Sequence, residues 1–373
     1  EGESYKFRIA SENAYGTSDF TEASDWFTVK HPEFHNTNYQ EQVSKVRLYK
    51  NQPNIYHGSV ETKYIVCEEL GRGGFGVVCR LIEKTSGRTW AGKFIPKAAQ
   101  RQEAVQHEID TMSELQHARL LYLHEAIFSR TDTVLVLEFI AGGDLFDKYV
   151  DSNYSVTERT LSSTVRQVCE GLDFMHRKNY VHMDVKPENV MFVSTSGSDC
   201  KLIDFGLSQR LEQGRSFTAN FGSLEYLSPE MVSKEPCGCS TDLWALGVLC
   251  HIMLTGLAPF GGEAVQQRFQ AIRDCKFSFD SEMWAHVSDT AKDFIARLIV
   301  ALPTQRMTAE QCLNHPWLNM SPREERFDVR LHPISLRQRI AESRRFRETV
   351  LPIGRLAHCG TCQDASNNDN SLS

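Results

Sequence analysis

The sequence predicts an α+β chain built as two lobes, a small sheet-rich lobe over residues 64–140 and a larger helical lobe over 141–318. Three observations carry this. β-branched and apolar runs dominate up to about residue 140. Helical periodicity takes over afterwards, as in Thr160 to Arg177. At 373 residues and 41% hydrophobic, the chain has enough apolar content for one large or two smaller buried cores.

The elements follow in order. Tyr5-Lys6-Phe7-Arg8-Ile9 alternates with period two, Asn13-Ala14-Tyr15-Gly16 supplies turn residues, and a second strand is expected at about Trp26 to Val29. That run resembles the last hairpin of a fibronectin type III domain, so residues 1–30 read as the C-terminal part of such a module. An amphipathic hairpin of another β fold is the alternative; two strands cannot close a sandwich in either case. Residues 31–63, polar and mixed with Pro32 and Pro53, read as a linker. Val134 to Ile140 reads as the last strand of the small lobe and the hinge. Leu243 to Leu254 is the most apolar stretch, but it is too short for a membrane span and contains His251, so a buried helix is expected.

After residue 318 the composition changes. Leu336, Ile340, Phe346, Val350 and Leu351 fall on one side of a helix, decorated by Arg337, Arg339, Arg344, Arg345 and Arg347 and ended by Pro352. Residues 319–356 are therefore expected to form a basic amphipathic regulatory tail, and 357–373 to be disordered. Such a helix suits calmodulin or another tail-binding protein, an autoinhibitory contact in the cleft, or packing on the large lobe; autoinhibition is preferred, because the apolar spacing fits no standard calmodulin pattern.

A net charge of −7 points away from nucleic acid, and no stretch suggests a membrane. Eleven cysteines without framework spacing favour reduced thiols and a cytoplasmic setting. Cys359-Gly-Thr-Cys362 lacks a second ligand pair and reads as chance. A start at Glu1, within a module, suggests a fragment of something longer.

Four short stretches carry the chemistry. They are Leu70-Gly71-Arg72-Gly73-Gly74-Phe75-Gly76-Val77-Val78, Ala91-Gly92-Lys93, His182-Met183-Asp184-Val185-Lys186-Pro187-Glu188-Asn189 and Asp204-Phe205-Gly206. A glycine-rich loop alone also opens dinucleotide-binding folds. Two catalytic motifs following at these intervals instead match the protein-kinase signature set. Gly71, Gly73 and Gly76 let the backbone approach a triphosphate, and Phe75 can cover the cleft. Lys93 is a point charge for the α- and β-phosphates of ATP, with Glu108 as the carboxylate that holds it. Asp184 sits where a base accepts the substrate hydroxyl proton, and Lys186 can neutralise the transferring phosphoryl group. Asn189 and Asp204 are the expected oxygen ligands of Mg2+. Leu70, Val78, Ala91 and Met191 should enclose the purine, with the hinge backbone around Glu138 and Ile140 pairing with adenine.

Two carboxylates read as structural. Glu230, in Ser228-Pro229-Glu230, expects a buried guanidinium, and Arg306 is well placed. Asp242, opening a helix, can accept hydrogen bonds from the catalytic-loop backbone.

With Glu68-Glu69-Leu70-Gly71, Gly142-Gly143-Asp144-Leu145-Phe146, Val185-Lys186-Pro187-Glu188-Asn189 and His315-Pro316-Trp317-Leu318, residues 60–350 resemble the calcium/calmodulin-dependent kinase group. Within it, the match is to the myosin light chain kinase, titin, twitchin and obscurin-like giant muscle kinases. The resemblance implies a bilobal protein-kinase fold and a serine/threonine kinase acting on protein hydroxyls within a giant cytoskeletal or sarcomeric protein. A pseudokinase scaffold that binds partners through the same fold is the alternative. Two departures stand out. Met183 replaces an arginine that pairs with an activation-loop phosphate, so the loop should be competent without phosphorylation at Ser216 or Thr218. Asp144 replaces the glutamate at the ribose and substrate-arginine position, one methylene shorter. Tyr226, whose hydroxyl could reach Asp184, is the candidate for control from the substrate-side loop, and Arg337, Arg344 and Phe346 are the candidates in the tail.

Overall fold

The computed structural model describes residues 52–320, except 74–75, 99–101, 152–155, 213, 215, 220–221, 263 and 281, together with four short strands nearer the N-terminus. The chain divides into two units, Glu1–Gln42 and Val43–Ser373. In the first, the strands are β1 (Ser4–Tyr5), β2 (Glu12–Asn13), β3 (Gly16–Thr17) and β4 (Phe27–Thr28). β1 pairs with β4 and β2 with β3, both antiparallel, so the turn expected at Asn13 to Gly16 closes its own small hairpin.

The second unit opens with a surprise for a stretch read as linker. β5 (Asn54–His57) pairs in parallel with Glu125–Phe128, and a 3-10 turn over Val60–Thr62 follows, capped by Ser59. Residues 31–63 are therefore not all linker. The pairing is made by backbone at an open sheet edge and needs no hydrophobic run: Ile55 remains exposed. Then come β6 (Tyr64–Gly73), β7 (Gly76–Glu83) and β8 (Thr89–Pro96).

Helix α1 (Gln102–Glu114) interrupts the strand-rich region; Val105, Ile109 and Met112 repeat at helical spacing and are buried. β9 (Leu123–Phe128) and β10 (Asp132–Glu138) complete a six-stranded sheet of order β5-β9-β10-β8-β7-β6.

The large lobe begins at α2 (Leu145–Val150) and α3 (Glu158–Arg177), the latter started by a Thr157–Thr160 capping box. Short strands β11 (Tyr180–Val181), β12 (Val190–Phe192), β13 (Cys200–Leu202) and β14 (Gln209–Arg210) frame the catalytic loop, β11 pairing with β14 and β12 with β13. Helices α4 (Pro229–Ser233), α5 (Cys239–Thr255), α6 (Val265–Asp274), α7 (Asp289–Leu298) and α8 (Ala309–Leu313) follow.

As expected of Leu243 to Leu254, α5 is buried along nearly its whole length, and Gly256 stops it with φ of +76°. A Cβ at Gly247 would lie 2.8 Å from Leu298, so glycine lets α5 and α7 pack closely. Trp317 closes the lobe: its indole N–H donates to buried Glu158 at 2.9 Å, and its carbonyl accepts from Ser162 at 2.7 Å. One core cluster holds Ile95 and Ile109 of the small lobe together with Phe205, Trp244 and Trp317. Among the described residues no helix is long and apolar enough to cross a membrane. The segment expected to be a regulatory tail, with Arg337, Arg344 and Phe346, lies outside the described residues.

Candidate active site

The cleft is assembled from both lobes. Lys93 on β8 stands across from Val78 on β7 and Leu135 on β10, and Ala91 shares its face two residues earlier. Lys93 Nζ donates to Glu108 Oε1 on α1 at 2.7 Å. Burial alone would push its pKa down, but the Glu108 and Asp204 carboxylates outweigh that and hold the ammonium above its usual range. The roof is the β6–β7 hairpin, where Gly73 pairs with Gly76 and Gly71 with Val78; Phe75 lies outside the described residues. The glycines differ in their reasons. A Cβ at Gly76, whose φ is +154°, would sit 1.9 Å from the Phe94 carbonyl oxygen, so the sheet itself demands glycine there. A Cβ at Gly71 would meet nothing within 4 Å, so only an approaching ligand would demand its absence.

The floor is the catalytic loop. Asp242 clamps its backbone, accepting from the His182 and Met183 amides at 2.8 Å each, while His176 Nε2 lies 2.9 Å from the same carboxylate. Met183 (φ +69°) and Asp204 (φ +65°) are both left-handed. Such residues cost about 1–3 kcal/mol and persist only when their surroundings over-determine them. Asp184 Oδ2 accepts from Lys186 Nζ at 2.5 Å and from Asn189 Nδ2 at 2.8 Å. Asn189 Nδ2 also donates to the Asp184 carbonyl at 2.7 Å, which leaves Oδ1 as that residue's acceptor. Phe205 is buried in the core beside the His182 ring, at 5.5 Å between centroids.

Two acidic side chains near the hinge have protein partners. One is the Glu138 carboxylate. That group is buried, accepts from the Tyr122 amide at 2.9 Å and pairs with Lys201 Nζ at 2.6 Å, tying the hinge strand to β13. Burial pushes its pKa up, against the pull of Lys201. Only the Glu138 backbone suits a base edge. Sequence reading missed Lys201, because no local signal announces a partner so far along the chain. Asp144 is likewise engaged: its Oδ1 accepts from the Asp147 amide at 2.8 Å as the N-cap of α2. Aspartate favours this role because its short side chain reaches back to the first turn. Met191 on β12 bridges to Asp144 at the cleft floor, and Ile140 is half-buried just beyond β10.

Tyr226 is buried in the 3-10 turn Leu224–Tyr226 and lines one small cavity with Asp184, Met183 and Asp242. Met183 packs with Val181, Ala219, Met231 and Cys237, so the later activation segment rests on an apolar cluster. Glu230 meets Arg306 in two bonds of 2.7 Å, as the sequence predicted.

A lysine–glutamate pair within the small lobe, a held aspartate in the catalytic loop and a left-handed Asp204 ahead of Phe205-Gly206 define a class, and residues 64–318 match the protein kinase domain family. The chain belongs to that family, whose members use ATP and a divalent metal and act on proteins. Muscle kinases are among its relatives. The titin homolog of Caenorhabditis elegans is 34% identical over 394 residues, covering 96% of this chain and 2% of that protein. The smooth-muscle myosin light chain kinase of Gallus gallus is 37% identical over 322 residues, covering 84% of this chain and 17% of that protein. The chain thus spans a small part of each relative's length. Among solved structures, the twitchin kinase region of C. elegans superposes with a TM-score of 0.77 at 35% identity, covering 93% of this chain and 65% of that one.

Proposed function

We propose that residues 64–318 are an ATP-dependent serine/threonine protein kinase, held down by the tail that follows and embedded in a cytoplasmic, sarcomeric or cytoskeletal giant. The observation that carries this is the Asp184 carboxylate, fixed by Lys186 and Asn189 on a loop that Asp242 clamps. With Oδ2 so engaged, Oδ1 receives the proton of a serine or threonine hydroxyl. The hydroxyl oxygen bonds to the γ-phosphorus, the bond from that phosphorus to the β,γ-bridging oxygen breaks, and ADP leaves. Lys93 holds the α- and β-phosphates, and Lys186 offsets charge on the moving phosphoryl group. Leu70, Val78, Ala91 and Met191 enclose the purine.

The residues present fit Mg2+. Asn189 Oδ1 and the Asp204 carboxylate are hard oxygen donors, and the described residues contain no cluster of three ligands that would hold a metal without phosphate. When bound, the metal neutralises phosphate charge. The intact set of Lys93, Glu108, Asp184, Asn189 and Asp204 favours an enzyme over a scaffold.

The tail proposal rests on charge. Arg337 to Arg347 is basic, and the motifs of the cleft that precede it carry the acidic residues Asp144, Asp184, Glu188 and Asp204. Tethering gives about millimolar local concentration. Calmodulin, another tail-binding protein, or pull on the flanks would release it.

Incubated with Mg2+, labelled ATP and a basic peptide, Asp184→Ala should lose phosphotransfer by orders of magnitude while keeping ATP–Mg2+ binding. Equal turnover in wild type and variant would overturn the kinase reading.

A further inference from the structure

Glu108 can hold Lys93 only if helix α1 is held in place, and two contacts reach α1 from the segment after Asp204. His107 Nε2 lies 2.7 Å from the Ser208 carbonyl oxygen. A carbonyl has no proton to give, so Nε2 carries the hydrogen and donates it. Roughly two turns further along, Glu114 Oε1 accepts from Arg210 at 3.2 Å. His107 and Glu114 therefore present one side of the helix to residues 208–210. The Arg210 pair is exposed on both sides, and such pairs contribute little.

Ser208 is different. It is fully buried, its amide donates to the Phe205 carbonyl at 3.1 Å, and its hydroxyl donates to the His182 carbonyl at 3.3 Å. The next two residues are β14, which pairs with β11 immediately before the catalytic loop. One buried residue thus meets α1 through its carbonyl and the catalytic loop through its hydroxyl. A Cβ on Gly206, two residues earlier, would stand 3.9 Å from Glu108 Oε2, so the same turn also approaches the Lys93 partner.

We infer that His107 and Ser208 form a brace that positions the two halves of the cleft: His107 acts through Glu108, and Ser208 acts through the His182 backbone. Neither touches substrate; both are positioning residues, and the inference rests on the phosphotransfer reading above. The brace explains why a histidine directly beside Glu108 turns toward the activation segment, and why a hydroxyl sits in a fully buried position.

The test uses the full chain. His107→Ala should lower kcat about fivefold, the worth of one part-buried hydrogen bond, with peptide KM nearly unchanged. His107→Gln, whose amide reaches about as far and donates, should restore most of the rate. In a Glu108→Gln background, His107→Ala should cost nothing further, because the residue it acts through is already disabled. Hydrogen exchange of residues 102–114 should quicken in His107→Ala and not in Ser208→Ala, which keeps the carbonyl; exchange of residues 239–255 should stay put in both. An unchanged rate with unchanged α1 exchange overturns the brace, as does an equal penalty in the wild-type and Glu108→Gln backgrounds. A wild-type chain without turnover, both intact and ended after Leu318, overturns the phosphotransfer reading instead, and α1 exchange then decides the brace alone.

Discussion

Arg306→Ala should destabilise the large lobe by about 3–5 kcal/mol, because it strands a buried carboxylate. The Arg306 and Glu230 side chains are 0% and 1% exposed. Besides its two bonds to Glu230, Arg306 donates to the Val300 carbonyl at 2.8 Å, the Ser240 carbonyl at 3.0 Å and the Ala301 carbonyl at 3.1 Å, and it stacks 5.0 Å from the Trp244 ring. Without the guanidinium, Glu230 keeps a side-chain bond from Thr241 at 2.9 Å. The same pair on the surface would be worth only about 0–1 kcal/mol, so burial decides the magnitude.

In a domain of this size each kcal/mol moves Tm by about 2–4 °C, which predicts a fall of about 6–20 °C by calorimetry at neutral pH. The pH dependence has a definite sign. Burial pushes the Glu230 pKa up, but the Arg306 bonds and charge outweigh it and hold the carboxyl below its ordinary value of 4.5. A depressed folded-state pKa gives stability that is present above the unfolded value and lost as pH falls through the folded one. The gap between wild type and Arg306→Ala should therefore narrow in acid. A Glu230→Leu/Arg306→Met double variant, which strands no charge, should lie closer to wild type than Arg306→Ala does. A Tm change under about 2 °C, or a gap independent of pH, would refute the reasoning.

Two further outcomes are expected. Ser216→Ala/Thr218→Ala should keep most phosphotransfer activity, because Met183 cannot bind phosphate and the segment already rests on Ala219, Met231 and Cys237; an inactive double variant as purified contradicts this. Ending the chain after Leu318 should raise peptide phosphorylation about tenfold, roughly 1.4 kcal/mol of relieved inhibition, and residues 319–351 added as a free peptide should inhibit again. A truncated core no faster than the full chain would leave the tail as a packing or docking element.

The sequence by itself determined the lobes and the residues that meet between them. Motif spacing was enough to single out Lys93, Asp184, Asn189 and Asp204 as candidates, and the partners of Glu230 and Asp242 were legible and are found. The α5 helix was legible too, since its apolar length left few alternatives. What remained hidden depends on contacts between distant segments. The strand Asn54–His57 forms on a backbone edge that polar composition does not reveal. Helix α1 was masked by its strand-rich neighbours, although Val105, Ile109 and Met112 carry its period. Glu138 turns to Lys201 and Asp144 caps α2, because a carboxylate takes the donors that packing brings closest, and local sequence does not say which those are. His107 meets Ser208 for the same reason. Residue types specified which reaction the cleft can support, while only the tertiary structure decided which polar groups hold it in shape, since every buried donor and acceptor must find its partner in space.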